Sequence, residues 1–312
     1  MKKLTLLALV VFIIAACVTP EVNPNVGPEL AVVIPEMFSP NPDITDDKMT
    51  ISIAVTHPVR IKDWNIVIQP ARQAQRQTTA EAQPAAAQTQ TRQAAAATTA
   101  TEGAAQGEAR QPRQRQPFFS QSGEGTPPTQ WEWNGRSSRQ SGEMVQSATD
   151  YRFELTVNDI FDNSSKYEGT IQTDVLVRRE GDNLRIIVPS IIFPPDLSDL
   201  SRVSDDEQRA NRRVLRLIAN ALTRYPDYRI TIEGHANPLS EPGTPNWTRQ
   251  EATLRPLSEQ RARSVGDFLV TNNNIARNRF TYTGVGTTRP VADYTDEEEL
   301  WKNRRVEFIL VR

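Results

Sequence analysis

The chain has 312 residues, a formal net charge of −2 and a single cysteine, Cys17. This length is enough for about two domains, and the near-neutral charge excludes the global basic field typical of nucleic-acid binding proteins. One cysteine excludes an internal disulfide framework. Hydrophobic residues make up only 38% of the chain, which is low for one compact globule and predicts a polar insert.

The N-terminus has the pattern of a secretory signal. Lys2 and Lys3 precede an apolar run, residues 4–16, that is shorter than the roughly 20 residues needed to span a bilayer. The sequence Ile-Ala-Ala-Cys at 14–17 resembles a bacterial lipobox, which implies cleavage after residue 16 and acylation of Cys17. A plain signal followed by a chance cysteine is the alternative. Residues 1–16 are thus predicted to be a signal peptide and residues 17–29 a lipidated tether.

Residues 30–180 are predicted to form a β-sandwich, because apolar and polar residues alternate within 49–55 and again within 151–157. Phe-Ser-Pro-Asn at 38–41, Trp-Glu-Trp-Asn-Gly at 131–135 and Thr-Asp-Tyr-Arg-Phe at 149–153 resemble bacterial Ig-like modules related to flagellar hook-capping proteins. Trp131 and Trp133 point to one face of a strand. They are interpreted as core residues, with a sugar-binding platform as the alternative.

A polar stretch interrupts this pattern. No Val, Ile, Leu, Met or aromatic residue occurs between Pro70 and Phe118. Such a composition cannot bury enough apolar surface to offset chain entropy, so residues 70–127 are predicted to be a disordered insertion in a loop of the sandwich. A tolerated insertion and a basic arm that touches an anionic partner are both compatible with its composition.

Residues 184–312 have the pattern of an α/β domain. Ser204 and Glu207 form a predicted capping box, and apolar residues recur behind them at helical spacing. A strand is predicted at Arg229–Glu233, a second helix with Ser258 as its N-cap, and a short helix capped by Thr295. The predicted order is βαβαβ, short helix, β, so the whole chain is expected to be a multidomain α+β protein.

Three motifs of this domain carry a resemblance to a known family. Gly-His-Ala-Asn at 234–237, Leu-Ser-Glu-Gln-Arg-Ala at 257–262 and Asn-Arg-Arg at 303–305 are similar to the OmpA-like domain, which attaches outer-membrane proteins and lipoproteins to peptidoglycan. The resemblance implies an α/β sandwich that grips the diamino acid of a stem peptide. It places Arg261 on a ligand carboxylate and Asn237 where the family has an aspartate that pairs with the ammonium. The ligand-binding set expected from it is Arg261, Asn237, His235, Asp196 and Arg305.

Asn237 departs from the family pattern. Its amide oxygen accepts a hydrogen bond but carries no charge, so an uncompensated site loses about 1–3 kcal/mol, or about 5- to 150-fold in affinity. Glu241 or Glu251, from the long loop that follows, are candidates to restore a negative charge. The bland alternatives are a surface salt bridge for Arg261, a turn position for Asn237 and loop ordering for His235.

Enzyme classes find no support in the sequence. His57 and His235 lie in different predicted domains, and no nucleophile elbow, phosphate loop or metal-ligand cluster is present. We therefore expect a non-enzymatic protein without cofactor or metal, anchored by lipid in the outer membrane and facing the periplasm. Its expected partner is peptidoglycan, and no nucleic acid is expected. The alternative is an envelope scaffold that has lost or altered wall binding and docks a protein partner through its Ig-like domain.

Overall fold

The computed structural model describes residues 25–40, 47–71, 116–238, 243–296 and 299–312. The predicted signal peptide, Cys17, Glu241 and most of the predicted insertion lie outside these ranges. Within them, no helix has the length and apolar character that crossing a bilayer requires.

In the described residues of the first domain, seven strands form two antiparallel sheets. One sheet has the order β1-β2-β5 and the other the order β4-β3-β6-β7. Their bounds are β1 Glu29–Val33, β2 Met49–Thr56, β3 Ile61–Pro70, β4 Phe119–Glu124, β5 Gln130–Trp133, β6 Asp150–Asp159 and β7 Ser164–Gln172.

The core of this domain lies between the two sheets. Trp131 and Trp133 are 3% and 2% exposed and pack with Tyr151 and Phe153 of the opposite sheet. The indole nitrogen of Trp131 donates a hydrogen bond to Gln121 Oε1 at 3.0 Å, which satisfies its polar atom inside the sandwich. Their interpretation as core residues is confirmed. The finer assignment to Ig-like modules stays a prediction.

The structure differs from the predicted insertion at its C-terminal boundary. Residues 116–127, expected inside the disordered segment, contain β4, which pairs antiparallel with β3 from Asp63 to Ile68. Only its first residue, Phe119, is a large apolar residue, so the strand shows no apolar alternation that sequence patterning could detect. Backbone pairing with β3 holds it in place.

The second domain is a five-stranded sheet with its two described α-helices packed on one face. The sheet order is β11-β10-β12-β9-β8, and only the β10–β11 pair is parallel. Two short 3₁₀ helices, Arg277–Arg279 and Leu300–Lys302, flank β11 and β12. The bounds are β8 Arg178–Glu180, β9 Asn183–Val188, α1 Asp205–Thr223, β10 Arg229–His235, α2 Pro245–Asn273, β11 Phe280–Gly286 and β12 Val306–Val311.

Two boundaries of this domain differ from the sequence prediction. Strand β8, placed in the first domain by the predicted boundary at residue 180, pairs with β9 and so belongs to the second sheet. The predicted short helix after Thr295 is a single 3₁₀ turn at Leu300–Lys302, and the Thr295 hydroxyl donates to Asp293. Asp293 also accepts the Thr295 backbone N–H, so these two residues form a local turn before the 3₁₀ helix.

Helix α1 begins as predicted. The Ser204 hydroxyl accepts from Glu207 N at 3.4 Å, and the Glu207 carboxylate accepts from Ser204 N at 3.0 Å, which completes the capping box. Its buried face contacts the sheet through Val214, Ile218 and Leu222.

Helix α2 begins thirteen residues before the predicted N-cap, at Pro245 instead of after Ser258. Thr244 is the actual cap and accepts from Trp247 N at 3.3 Å. The helix continues through Pro256, where one backbone donor is lost, and Ser258 lies inside it with its hydroxyl donating to Arg255 O at 2.8 Å. The predicted N-cap at Ser258 is therefore wrong.

Two glycines allow α2 to lie unusually close to the sheet. A Cβ on Gly234 of β10 would clash with the backbone carbonyl of Ser258, and a Cβ on Gly284 of β11 would clash with that of Arg255. Any larger residue at these positions would force the helix away from the strands that it covers.

Ion pairs join the two domains. Arg139 of the first domain lies 2.5 Å from Glu299, and both side chains are less than one-fifth exposed. Lys302 pairs with both Glu143 and Glu299. Arg213 of α1 also pairs with Asp150, at the start of β6, at 2.6 Å. The first domain therefore contacts the 3₁₀ segment that precedes β12.

Replacing Gly234 by alanine should destabilise the second domain. The added methyl group would meet a backbone carbonyl that cannot rotate away, so we expect a loss of about 1–3 kcal/mol or more in the free energy of unfolding. Urea unfolding followed by circular dichroism measures this. Thr231→Ala, on the same strand, is the matched control and should cost less; equal losses for the two variants would contradict the close-approach argument.

Candidate functional site

Arg261 of α2 holds the loop that follows β9. Its Nε donates to Leu197 O at 3.0 Å, its Nη2 donates to Pro194 O at 3.2 Å, and its guanidinium lies 5.0 Å from the Phe193 ring centroid. Burial lowers the pKa of Arg261, Arg304 adds to this shift, and Asp196 opposes it. The predicted residues Arg261 and Asp196 are therefore neighbours, with Asp196 exposed in the loop.

Asn237 lies just beyond the end of β10. Its Nδ2 donates to Leu300 O at 2.5 Å, which ties the loop after β10 to the 3₁₀ segment before β12. Its Oδ1 is buried and has no hydrogen-bond partner among the described residues. An acceptor left without a donor in this way costs about 1–3 kcal/mol, which makes Asn237 Oδ1 a candidate contact for a ligand donor.

Glu251 is the second acceptor in this region. Its Oε2 accepts from Thr287 N at 3.0 Å and from the Thr287 hydroxyl, whereas its Oε1 is buried without a partner among the described residues. A Cβ on Gly286 would lie 2.5 Å from this Oε1. Gly286 O in turn accepts from Ala236 N at 2.9 Å. Gly286 therefore links Glu251 to Ala236, the residue before Asn237.

His235 and Arg305 lie in a different place. His235 is 3% exposed, and Arg305 is 5% exposed and binds Glu307 Oε1 at 2.6 Å. Glu233 and Glu307 complete a buried cluster around His235, whose Nε2 is 3.4 Å from Glu307 Oε1. Burial lowers the pKa of His235 to about 3, and the positive charge of Arg305 adds to the shift. The pair thus supports the strand ends from the sheet face opposite the helices.

The buried cluster has the ligand types for a metal ion but not the charge. Glu233, His235 and Glu307 offer ligand atoms that lie within 4.8 Å of one another. However, Arg289 pairs with Glu233 at 2.6 Å, and Arg185 and Arg305 both pair with Glu307. Arg185 also pairs with Glu180, so three arginines balance three glutamates and the cluster lacks the net negative charge that holds a cation. The residues therefore fit an internal salt-bridge network better than a metal site.

The predicted set therefore divides into two groups. Arg261, Asp196 and Asn237 lie on loops and a helix that reach solvent, whereas His235 and Arg305 are internal. Arg304, not included in the prediction, is the residue of the Asn-Arg-Arg motif whose charge acts on Arg261. Both arginines lie in the segment just before β12, where Arg304 is exposed and Arg305 is buried. Asn303 fixes the loop before it by accepting from Val291 N and Ala292 N.

Comparisons with known proteins found a family model, curated relatives and solved structures that match part of the chain. The sequence model of the OmpA family matches residues 199–304. Peptidoglycan-binding protein ArfA of Mycobacterium bovis is 36% identical over 101 residues, which are 32% of this chain and 28% of the relative. The peptidoglycan-associated lipoprotein of Brucella melitensis is 40% identical over 93 residues, 30% of this chain and 49% of the relative. A MotB-like protein from Desulfovibrio vulgaris superposes with a TM-score of 0.35 at 23% identity, over 45% of this chain and 82% of the neighbour.

These matches are local. The chain spans between about a quarter and a half of the length of those two curated relatives. Neither relative's match extends over most of this chain.

Replacing His235 by glutamine should make the free energy of unfolding depend less on pH in the acidic range. The pKa of His235 is about 3 in the folded state and about 6.5 when unfolded, so between these values the unfolded state binds an extra proton. The free energy of unfolding therefore falls as pH drops through this window, by up to about 1.4 kcal/mol per pH unit.

The measurement is urea unfolding of wild type and His235→Gln at pH 7.5, 5.5 and 4.5. The difference at pH 7.5 reports the packing cost of the substitution. We expect that difference to shift in favour of the variant as pH falls, and a difference that stays constant would show that His235 does not carry the effect.

Proposed function

Residues 199–304 form an OmpA-family domain, and from this premise we propose that the protein is a lipid-anchored envelope protein that binds peptidoglycan without a covalent bond. The proposal assigns it to the outer membrane, facing the periplasm, where it links membrane to wall. Both relatives described above carry peptidoglycan binding or association in their names, and one is a lipoprotein. The role is that of a non-enzymatic linker.

Cys17 supplies the anchor in this proposal. The Ile-Ala-Ala-Cys sequence at 14–17 supports cleavage and acylation there. Each buried methylene of an acyl chain contributes about 0.8 kcal/mol, so two or more chains hold a protein durably on a membrane.

Arg261 binds a carboxylate of the stem peptide in this proposal. A planar guanidinium matches a carboxylate bidentately, and a partly buried position strengthens that bond. Its present partners, Pro194 O and Leu197 O, are neutral carbonyls, so a charged acceptor gains over them. Arg304 adds positive charge beside it.

The observation that carries the proposal is a pair of buried oxygens, Asn237 Oδ1 and Glu251 Oε1, to which no group in the described part of the chain donates. Glu251 Oε1 lies against Gly286, whose carbonyl accepts from the backbone N–H of Ala236, the residue before Asn237. An ammonium group has three donors and no acceptor, so it matches such a site. Glu251 then supplies the negative charge that Asn237 lacks, and the ligand is a diamino acid whose ammonium binds here while its carboxylate binds Arg261.

Binding to the wall is tested with the chain from residue 18 to 312 and purified sacculi. We expect wild type to co-sediment with sacculi and Arg261→Ala to bind about 10- to 150-fold more weakly, the range for losing a charged hydrogen bond of about 1.5–3 kcal/mol. Arg263→Ala is the matched control, because Arg263 lies on the same helix, where it pairs with exposed Glu259 and lies over the Tyr282 ring. Equal binding of the two variants, or no retention of wild type at low salt beside a retained known binder, would overturn the proposal.

The source of the negative charge is tested by a double-mutant cycle. Glu251→Gln keeps an oxygen for Thr287 but removes the charge, so we expect binding to fall by about 5- to 150-fold. Adding Asn237→Asp to that variant should recover most of the loss, because the charge returns on the neighbouring acceptor. If Glu251→Gln binds sacculi like wild type while Arg261→Ala does not, Glu251 is not the compensating group.

A second function is favoured by one observation. Asn237 is uncharged, and its Nδ2 already holds Leu300 O, so the residue serves the loop structure. In this alternative the domain has lost wall binding, and the protein is an envelope scaffold that docks a partner through its first domain. Asn237→Asp separates the two functions, because only the scaffold predicts that this substitution creates sacculus binding that wild type lacks.

A further inference from the structure

One end of the first domain carries an exposed apolar tip. The turn between β6 and β7 presents Ile160 and Phe161 to solvent, 45% and 56% exposed. Val26, which is 54% exposed, immediately precedes Gly27, and the Gly27 backbone lies against Ser164 and Ser165 at the start of β7. Val26, Ile160 and Phe161 therefore lie at the same end of the sandwich and are called the apolar tip below.

The turn is held rigidly despite its exposure. Asp159 is fully buried, and its Oδ1 accepts from Phe161 N at 2.8 Å and from Asn163 N at 3.0 Å. Its Oδ2 contacts His57 Nε2 at 2.9 Å and accepts from Asn163 Nδ2 at 2.8 Å. These hydrogen bonds already fix the backbone of the turn. Binding of Ile160 and Phe161 to a partner therefore costs little additional conformational entropy.

The chain from the proposed anchor reaches the sandwich at this same end. Nine residues, 18–26, connect Cys17 to Gly27, so the ten steps from one to the other span at most about 35 Å. A tether of this length keeps the apolar tip at an effective concentration of about millimolar near the membrane that holds the lipid. Weak apolar contacts are then sufficient for docking.

The wall-binding domain lies at the opposite end. Strand β6 runs from Asp150, which pairs with Arg213 of α1, to Asp159 under the apolar tip. Ten residues of strand correspond to about 30 Å. A sandwich that stands on its apolar tip therefore directs the OmpA-family domain away from the membrane.

We propose that the apolar tip docks on the lipid bilayer surface, with Phe161 and Ile160 entering the interfacial region and the sandwich acting as an upright spacer. This proposal rests on the lipid anchor proposed for Cys17. Large aromatic and aliphatic side chains at a rigid turn suit the boundary between headgroups and acyl chains.

The charges at this end of the domain do not favour binding to anionic lipids, so docking would depend on apolar contacts. Lys62 is paired with Asp162 at 2.5 Å, and exposed Arg60 lies beside the tip, where its backbone oxygen accepts from Ile160 N at 3.2 Å. Asp63 of β3 and Glu124 of β4 lie opposite each other at this end, so carboxylates outnumber the two cations. The tip thus has no surplus of positive charge to attract anionic headgroups. Docking should be similar on phosphatidylcholine vesicles and on phosphatidylethanolamine–phosphatidylglycerol vesicles, and salt should weaken it little.

The test uses the full lipidated chain in vesicles of these two compositions. Cys17 is the only cysteine and is blocked by acylation, so Ser164→Cys creates one thiol beside the tip for an environment-sensitive fluorophore. Ser141→Cys, an equally conservative change in an exposed loop near the domain junction, is the matched control. We expect the label at position 164 to report an apolar environment in vesicles, and the label at position 141 to report water.

The second part of the test replaces the two tip residues of the β6–β7 turn, Ile160 and Phe161, by serine. In Ile160→Ser/Phe161→Ser, we expect the docked fraction to fall about tenfold or more, because burial of one large apolar side chain corresponds to about one decade or more in an equilibrium constant. Circular dichroism and the melting temperature should stay unchanged, since both side chains are exposed.

Each other outcome overturns the inference. The tip does not dock if the protein floats with vesicles while the label at position 164 reports water. The same conclusion follows if the label reports an apolar environment equally in wild type and in the double serine variant. A change that requires an added envelope protein assigns the tip to a protein partner instead. A chain that does not float with vesicles at all lacks the anchor, which is a failure of the proposed function and is recognised by that separate readout.

Discussion

The close contact between helix α2 and the sheet is the constraint on which the site depends. Gly234 and Gly284 remove the side chains that would separate them, so the carbonyls of Ser258 and Arg255 lie directly over β10 and β11. The lost donor at Pro256 falls within this contact, where α2 carries Glu251 toward one loop and Arg261 toward another. One rigid element thereby sets the separation between a candidate anion-binding group and a candidate cation-binding group, which favours a ligand that carries both charges.

The two faces of the sheet divide stability from recognition. On the helix face, α2 supplies the groups that reach the loops. On the other face, Glu307 accepts from two arginines and packs against His235, so the strand ends are fixed by an internal network. Removing one partner of such a network would leave a buried charge uncompensated, so these residues stabilise the fold. Residues of one motif, Arg304 and Arg305, serve the two faces separately.

Sequence reasoning succeeded where one local pattern decides the structure. The Ser204–Glu207 capping box, β10 and the two core tryptophans were all predictable from spacing alone. It failed at α2, because Pro256 and Ser258 resemble a helix start, whereas Thr244-Pro245 is the real one. It also failed at β4, whose polar strand depends on pairing with β3 across the chain. The sequence could not predict that Glu251 Oε1 lacks a partner among the described residues, because this depends on how Glu251 packs against Gly286.

The junction between the domains connects these features mechanically. Arg139 pairs with Glu299, and Lys302 pairs with both Glu299 and Glu143. The first domain therefore forms ion pairs with residues on both sides of Leu300 in the sequence. Leu300 O is also the acceptor for Asn237 Nδ2. In the proposed linker role, a pull between the membrane and the wall would therefore pass through the segment that positions Asn237. Partly buried ion pairs contribute little net stability but fix orientation, which is the property that a linker between two surfaces requires.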